Sequence, residues 1–338
     1  MADNAYVPPE IASLMGLIDT HLRWSELQKF AGSRSYKHYH PSEFGKCLRH
    51  QQYKHFVELG YINVEHVANS GQTIRTFDKG HNMHHRWQQW YFAEMGILRG
   101  VWKCANTMCL AFDNEGKFRW DALKEEQRTE IWKGRTRVYG EDDKLGCFRP
   151  DKCACGSTKF YYHELEVKSE ELNFLGHCDI VLDFQKFDPE KYKSVRKNFN
   201  MLNFPKRPIV IDMKTVGDWQ FKNQVQKLGV HKAYIIQLNI YMHLLDCEYG
   251  VVIYENKSDS ITAPFKIDRD DSIFDTVKEQ ATMMKALAEK RLLPPPRPLD
   301  ESDYECSKCG FATLCHKSPV WKDPKLKQKR QGFYKNLL

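Results

Sequence analysis

Two aspartates and a lysine carry the first chemical signal in this sequence. Asp179 closes the tetrapeptide GHCD ahead of the apolar run IVLDF, and Asp212 and Lys214 sit within PIVIDMKT. Side chains alternate faces along a strand, so Asp212 and Lys214 point the same way while Met213 points into the core. Carboxylates and an ammonium on otherwise apolar strands are costly unless they find partners. Mg²⁺ or Mn²⁺ is the natural partner, because hard cations take carboxylate oxygens together with water and substrate phosphate. Such a cation activates water and offsets transition-state charge, while a lysine orients the water or steadies the phosphoryl oxygens. Asp-x-Lys alone is more often a structural ion pair. The surroundings shift that balance. Gln237 and Tyr241 stand four apart, on one face of an expected helix. His81 opens a histidine-rich helix and offers an imidazole to a metal site, with His84 and His85 as competitors.

The 11 cysteines form the second signal, and their odd number excludes complete pairing within one chain. Near the end, Cys306, Cys309 and Cys315 form C-x2-C-x5-C, and Cys47 is the best unclaimed fourth ligand. Four thiolates suit zinc or a cubic iron–sulfur cluster, and His316 could instead complete a zinc knuckle. A middle group holds Cys104, Cys109, Cys147, Cys153 and Cys155. Cys104, Cys109, Cys153 and Cys155 would make a tetrahedral zinc site, with Cys147 the spare or a substitute. Such an ion would fold a core-poor segment. Cys178 and Cys247 lie alone in apolar stretches and read as buried free thiols.

These groups need elements to position them. Helices are expected over 11–30, 43–57, 73–95, 231–246 and 271–290. Strands are expected in HELEV, FLGHCDIVLDF, PIVIDMKT, YGVVIYEN and ITAPFKI. Strands in the centre flanked by helices make a mixed α/β core. Four regions follow: a helical N-terminal region over 1–100, a cysteine-rich zinc-binding insertion over 101–160, a catalytic core over 161–290, and a C-terminal cysteine segment with a basic tail over 291–338.

With 338 residues, 41% hydrophobic and 28% charged, the chain reads as globular. No apolar run approaches a membrane span, and the N-terminus does not resemble a signal peptide, so a cytoplasmic, non-secreted protein is expected. The net charge of +7 permits an anionic partner without demanding one. Residues 191–207 and the tail after Trp321 mix basic and aromatic residues, a pattern able to hold single-stranded nucleic acid. No GxxxxGK[ST] motif is present, so any motor would be a separate helicase or recombination protein.

The ordered set His81, GHCD, DMK and QLNIY, with Cys47 and the terminal CSKCGFATLC, resembles the RecB-like branch of the PD-(D/E)XK nucleases. It is most similar to the iron–sulfur members: CRISPR-associated four-cysteine nucleases, AddB-type nuclease domains and stand-alone exonuclease relatives. The resemblance implies a restriction-endonuclease-like α/β core and a [4Fe–4S] cluster on Cys47, Cys306, Cys309 and Cys315. It implies a catalytic cation on His81, Asp179, Asp212 and the Met213 carbonyl, with Lys214 catalytic. Gln237 and Tyr241 would face DNA or support the site, and Glu166 matches a glutamate often found before the GxxD strand. The middle cysteines depart from the compact family members. The activity implied is Mg²⁺- or Mn²⁺-dependent exonuclease digestion of single-stranded DNA or duplex ends, in recombination, repair or phage DNA metabolism. The alternative is a non-catalytic DNA-processing subunit of a recombination or CRISPR-adaptation complex. Oligomeric state is not encoded in any of these motifs.

Overall fold

The computed structural model describes residues 9–30, 35–63, 69–192, 194–195, 204–297, 302–318 and 325. Most of the basic 191–207 segment and nearly all of the basic tail lie outside the described residues. The N-terminal part is helical: α1 (Pro9–Phe30), α2 (Leu48–Glu58) and α3 (Gly71–His85), the last capped by the Ser70 side chain. Helix α3 runs directly into a π-helical turn, Arg86–Phe92, before the chain enters the sheet.

Strand β1 (Leu98–Cys104) was not expected from the sequence, and it crosses the 100/101 division between the helical and cysteine-rich regions. The cysteine-rich segment is therefore built onto the main sheet through β1. It carries α4 (Glu125–Trp132) and the two-residue strands β2 (Val138–Tyr139) and β3 (Cys147–Phe148). β4 (Phe160–His163) returns along β1, pairing Cys104 with Phe160.

The expected strands then follow, with two breaks. HELEV splits at Glu164, between β4 and β5 (Leu165–Ser169). FLGHCDIVLDF splits at Asp179, between β6 (Phe174–Cys178) and β7 (Ile180–Leu182). β8 (Ile209–Val216) pairs antiparallel with β7. The chain passes through α5 (Asp218–Gln220), a π-helical turn and α6 (Gln226–Leu228), then through α7 (Lys232–Leu245). It re-enters as β9 (Tyr249–Asn256) parallel to β8, then β10 (Thr262–Asp268) antiparallel at the edge. The main order is β10-β9-β8-β7-β1-β2, with β3 and β4 also on β1, while β5 and β6 form a separate ribbon. α8 (Asp271–Glu289) packs on α7, and the short helices α9 (Tyr304–Ser307) and α10 (Ala312–His316) end the described chain apart from residue 325. The result is a mixed α/β fold with a central mixed sheet flanked by helices. Among the described residues, no helix is long and apolar enough to cross a membrane.

The sheet has a core on each face. Ile209, Ile211 and Met213 join Leu98, Trp102 and Phe92 on one side. Val210 joins Val252 with Leu238 and Met242 of α7 on the other, where Cys178 and Cys247 are also buried. The period of two along β8 thus puts Asp212 and Lys214 on one face, and Gln237 of α7 meets Asp212 there. Close approach of α7 depends on Gly250, where a Cβ would stand 2.9 Å from Leu238 and 2.9 Å from the Val210 carbonyl. The backbone carbonyl has nowhere to go. Gly250→Ala is expected to destabilise the fold by about 1–3 kcal/mol, read as a lower urea midpoint; an unchanged midpoint contradicts this packing.

Candidate functional site

Asp179 and Asp212 meet on neighbouring antiparallel strands. Asp179 sits at the break before β7, and its Oδ2 accepts the Met213 amide at 2.9 Å, which brings that residue's backbone beside the carboxylate. Asp212 Oδ1 accepts from Lys214 Nζ at 2.8 Å and from Gln237 Nε2 at 3.0 Å. Its other oxygen, Oδ2, is buried with no hydrogen-bond partner among the described residues. Lys214 Nζ also stands over the Tyr234 ring, 4.7 Å from its centre.

A second group gathers at Asp179. One ligand atom each from His84, Glu164 and Asp179 lies within 4.8 Å of the others. His84 Nδ1 is 3.8 Å from Asp179 Oδ2. Gln88, one turn beyond His84, donates to Glu164 Oε1 at 3.3 Å and to the Asp179 carbonyl at 2.9 Å. The helix is fixed by Glu255, a buried carboxylate on β9 that accepts from both Arg86 and Trp87. This anchoring sets the rotation of α3, and with it which histidine faces the sheet.

Two expectations change, and a third narrows to one of its two alternatives. His81 is exposed at the helix surface, and His84 is the histidine brought to Asp179. Glu166 is exposed and 3.9 Å from His177, while Glu164 reaches the cluster because the strand breaks there. Tyr241 is 3% exposed and donates to the His177 carbonyl at 2.8 Å, so it props the strand leading into Asp179 and is not presented to a ligand. Gln237, also buried, orients Asp212 in the same supporting manner. The glycine of GHCD has a packing cause: a Cβ on Gly176 would lie 2.9 Å from both the Tyr241 hydroxyl and Pro41. His84 and Gln88, four apart, carried the same helical signal as Gln237 and Tyr241. A groove of about 930 Å³ borders this cluster, lined by Gln88, Glu164, His163, Lys103, Lys144 and Lys168.

The electrostatics explain what such a site wants. Burial pushes both carboxyls up, Asp212 to about 6, with Lys214 pulling each of them down. Burial also works against the Lys214 ammonium, but Asp212 and Asp179 outweigh it and hold Lys214 above its ordinary value. One ammonium does not offset the buried Asp212 carboxylate together with the partly buried Asp179. The excess negative charge and the unpartnered Oδ2 fit a small, hard dication held by oxygen ligands.

The cysteines fall into two places. Cys47, Cys306, Cys309 and Cys315 line one cavity of about 410 Å³, with His316 at its edge. Burial raises Cys47 to about 11 and Cys306 to about 12. The Arg297 amide donates to Cys47 Sγ at 3.4 Å, and Tyr53 of α2 stacks on Phe311 at 5.0 Å, tying the two chain ends together. These four sulfurs from the two ends of the described chain form a donor set that suits zinc or an iron–sulfur cluster. The middle sulfurs are tighter: Cys104, Cys109 and Cys153 are mutually within 4.8 Å, and Cys155 Sγ is 3.7 Å from Cys104 Sγ. Cys147 stays apart on β3, paired with Gly100.

No protein-family model and no curated protein matches the chain. Among solved structures, SSO0001 is similar over 89% of this chain and 97% of its own, at 14% identity and a TM-score of 0.41. The alkaline exonuclease LHK-Exo of Laribacter hongkongensis is similar over 38% of this chain and 57% of its own, at 13% identity and a TM-score of 0.29.

The raised Asp212 carboxyl makes stability depend on pH. The folded chain keeps this proton up to about 6, whereas an unfolded aspartate releases it near about 4. Between those values the folded state binds more protons, so stability falls as pH rises and the full cost persists above. With no divalent metal added, Asp212→Asn is expected to melt a few degrees above wild type at pH 7.5 and to lose that advantage near pH 4. Coincident melts at pH 7.5 contradict a buried excess charge.

Proposed function

We propose that this chain is a divalent-metal-dependent deoxyribonuclease with a PD-(D/E)XK-type core, acting as an exonuclease on single-stranded DNA or duplex ends. The observation that carries this reading is the buried, unpartnered Asp212 Oδ2 beside Asp179 and Lys214. The motif resemblance supplies the substrate class. Asp179, Asp212 and the Met213 backbone would hold Mg²⁺ or Mn²⁺, with His84 and Glu164 completing the set in place of His81. When bound, the cation supplies Lewis-acid stabilisation of the phosphoryl oxygens and acidifies a water.

The remaining work falls to the chain. Lys214, kept cationic by its two carboxylate neighbours, donates to a phosphoryl oxygen or orients the attacking water as negative charge builds. Gln237 keeps Asp212 from turning away, and Gln88 does the same for Glu164. Tyr241 holds the β6 end so that Asp179 stays in line with β8.

The reading extends to a [4Fe–4S] cluster on Cys47, Cys306, Cys309 and Cys315, supported by the cavity that all four line and by the motif resemblance. Its contribution would be structural, joining α2 to the C-terminal segment.

Digestion of end-labelled single- and double-stranded DNA by anaerobically purified protein, with Mg²⁺ or Mn²⁺, tests the activity. Asp179→Asn and Lys214→Ala are expected to fold, keep their colour, and lose at least about 10²–10³ in rate. Cleavage by either variant at the wild-type rate sinks the assignment. For the cluster, Cys306→Ser is expected to lose the brown iron–sulfur absorption and melt earlier; full colour and stability in that variant removes Cys306 from the ligand set.

A further inference from the structure

We propose that Cys104, Cys109, Cys153 and Cys155 hold one structural zinc ion that clamps the cysteine-rich segment onto strands β1 and β4. A zinc tetrahedron with bonds of about 2.3 Å has sulfur–sulfur edges of about 3.8 Å. The Cys104–Cys155 separation is 3.7 Å, and Cys104, Cys109 and Cys153 lie mutually within 4.8 Å. The 3.7 Å separation is far from the roughly 2.0 Å of a disulfide. The sulfurs of Cys104, Cys109 and Cys153 surround a point, Cys155 stands beside Cys104, and all four are free thiols.

Donors aimed at the sulfurs provide the second observation. The Asn106 amide points at Cys104 Sγ at 3.4 Å, and its side-chain Nδ2 points at Cys155 Sγ at 3.5 Å. The Arg137 amide donates to Cys109 Sγ at 2.9 Å, and the Tyr139 hydroxyl to Cys153 Sγ at 3.2 Å. Every one of the four sulfurs accepts a hydrogen bond. That is what thiolates need when they carry charge to a metal, and such outer partners fix ligand orientation. Cys147 lacks this geometry because β3 holds it against Gly100, where its carbonyl accepts from Trp102 Nε1 at 2.9 Å.

The segment needs such a clamp. Between residues 105 and 159, the buried hydrophobic positions among the described residues are Cys109, Ala111, Ile131 and Cys153, and two of those four are ligands. A core that small does not offset the entropy of ordering the chain, whereas metal binding supplies folding free energy directly. The clamp also has reach. Cys104 ends β1 opposite Phe160, and β4 runs from there through Tyr162, whose hydroxyl donates to the Asp179 carbonyl at 3.1 Å, to Glu164. The sulfur geometry is the same whether or not the chain cleaves DNA.

Metal analysis of the full chain, purified without chelators, is the test. The expected content is about one zinc per chain, and a zinc-edge X-ray absorption spectrum should show four sulfurs at about 2.3 Å. The Cys104→Ser/Cys155→Ser double variant should lose at least tenfold of its zinc while keeping wild-type iron and colour, and Cys147→Ser should keep its zinc. If the double variant does not fold, the wild-type absorption spectrum decides alone. Protein without zinc, zinc bound through nitrogen or oxygen, iron lost in place of zinc, or zinc retained by the double variant would each overturn the proposal.

Discussion

The structure is organised around an imbalance of buried charge. Asp179 and Asp212 share one ammonium, Lys214, between two strands whose other residues are apolar. Water solvates ions far better than a protein interior, so two carboxylates facing one lysine are a standing cost to the fold. That cost is retained where the site uses it. The raised Asp212 carboxyl and its Oδ2, without a partner among the described residues, would suit a dication better than another side chain.

Much of the surrounding architecture fixes this geometry. The antiparallel β7–β8 pair brings the two aspartates into register, and α7 supplies Gln237 from above. The continuation of α3 into a π-helical turn, anchored by Arg86 and Trp87 on Glu255, turns His84 and Gln88 inward. Two cysteine groups lie elsewhere in the fold: one shares a cavity between α2 and the C-terminal helices, and the other sits where β1 meets the segment leading to β4. The second occurs where the chain has little apolar surface to bury, and a metal there would replace a missing core.

The parts of this arrangement that were legible in the sequence follow regular periods. Alternation along PIVIDMKT put Asp212 and Lys214 on one face, and the four-residue spacing put Gln237 and Tyr241 on one side of α7. The density of the middle cysteines separated them from the rest. What escaped depends on tertiary packing. His81 and His84 lie on one helix, and contacts remote in sequence, among them Arg86 and Trp87 on Glu255, decide which faces the sheet. Glu164 and Glu166 would share a face in an unbroken strand, but the chain breaks at Glu164, so alternation misassigns them. Strand β1, LRGVWKC, offers few β-branched residues and is a strand because β4 and β7 pair with it. Tyr241 has the right spacing to face a ligand, yet Gly176 leaves room for its hydroxyl to turn inward.

If the site works as proposed, the paired aspartates bind a divalent cation directly. Calorimetric titration of Mn²⁺ into the purified wild-type chain and into Asp179→Asn and Asp212→Asn tests it without reference to any substrate. The expected result is saturable binding by wild type and at least about tenfold weaker binding by each variant, a difference of about 1.4 kcal/mol. Equal Mn²⁺ affinity in all three proteins would show that the cation, if it binds, binds elsewhere.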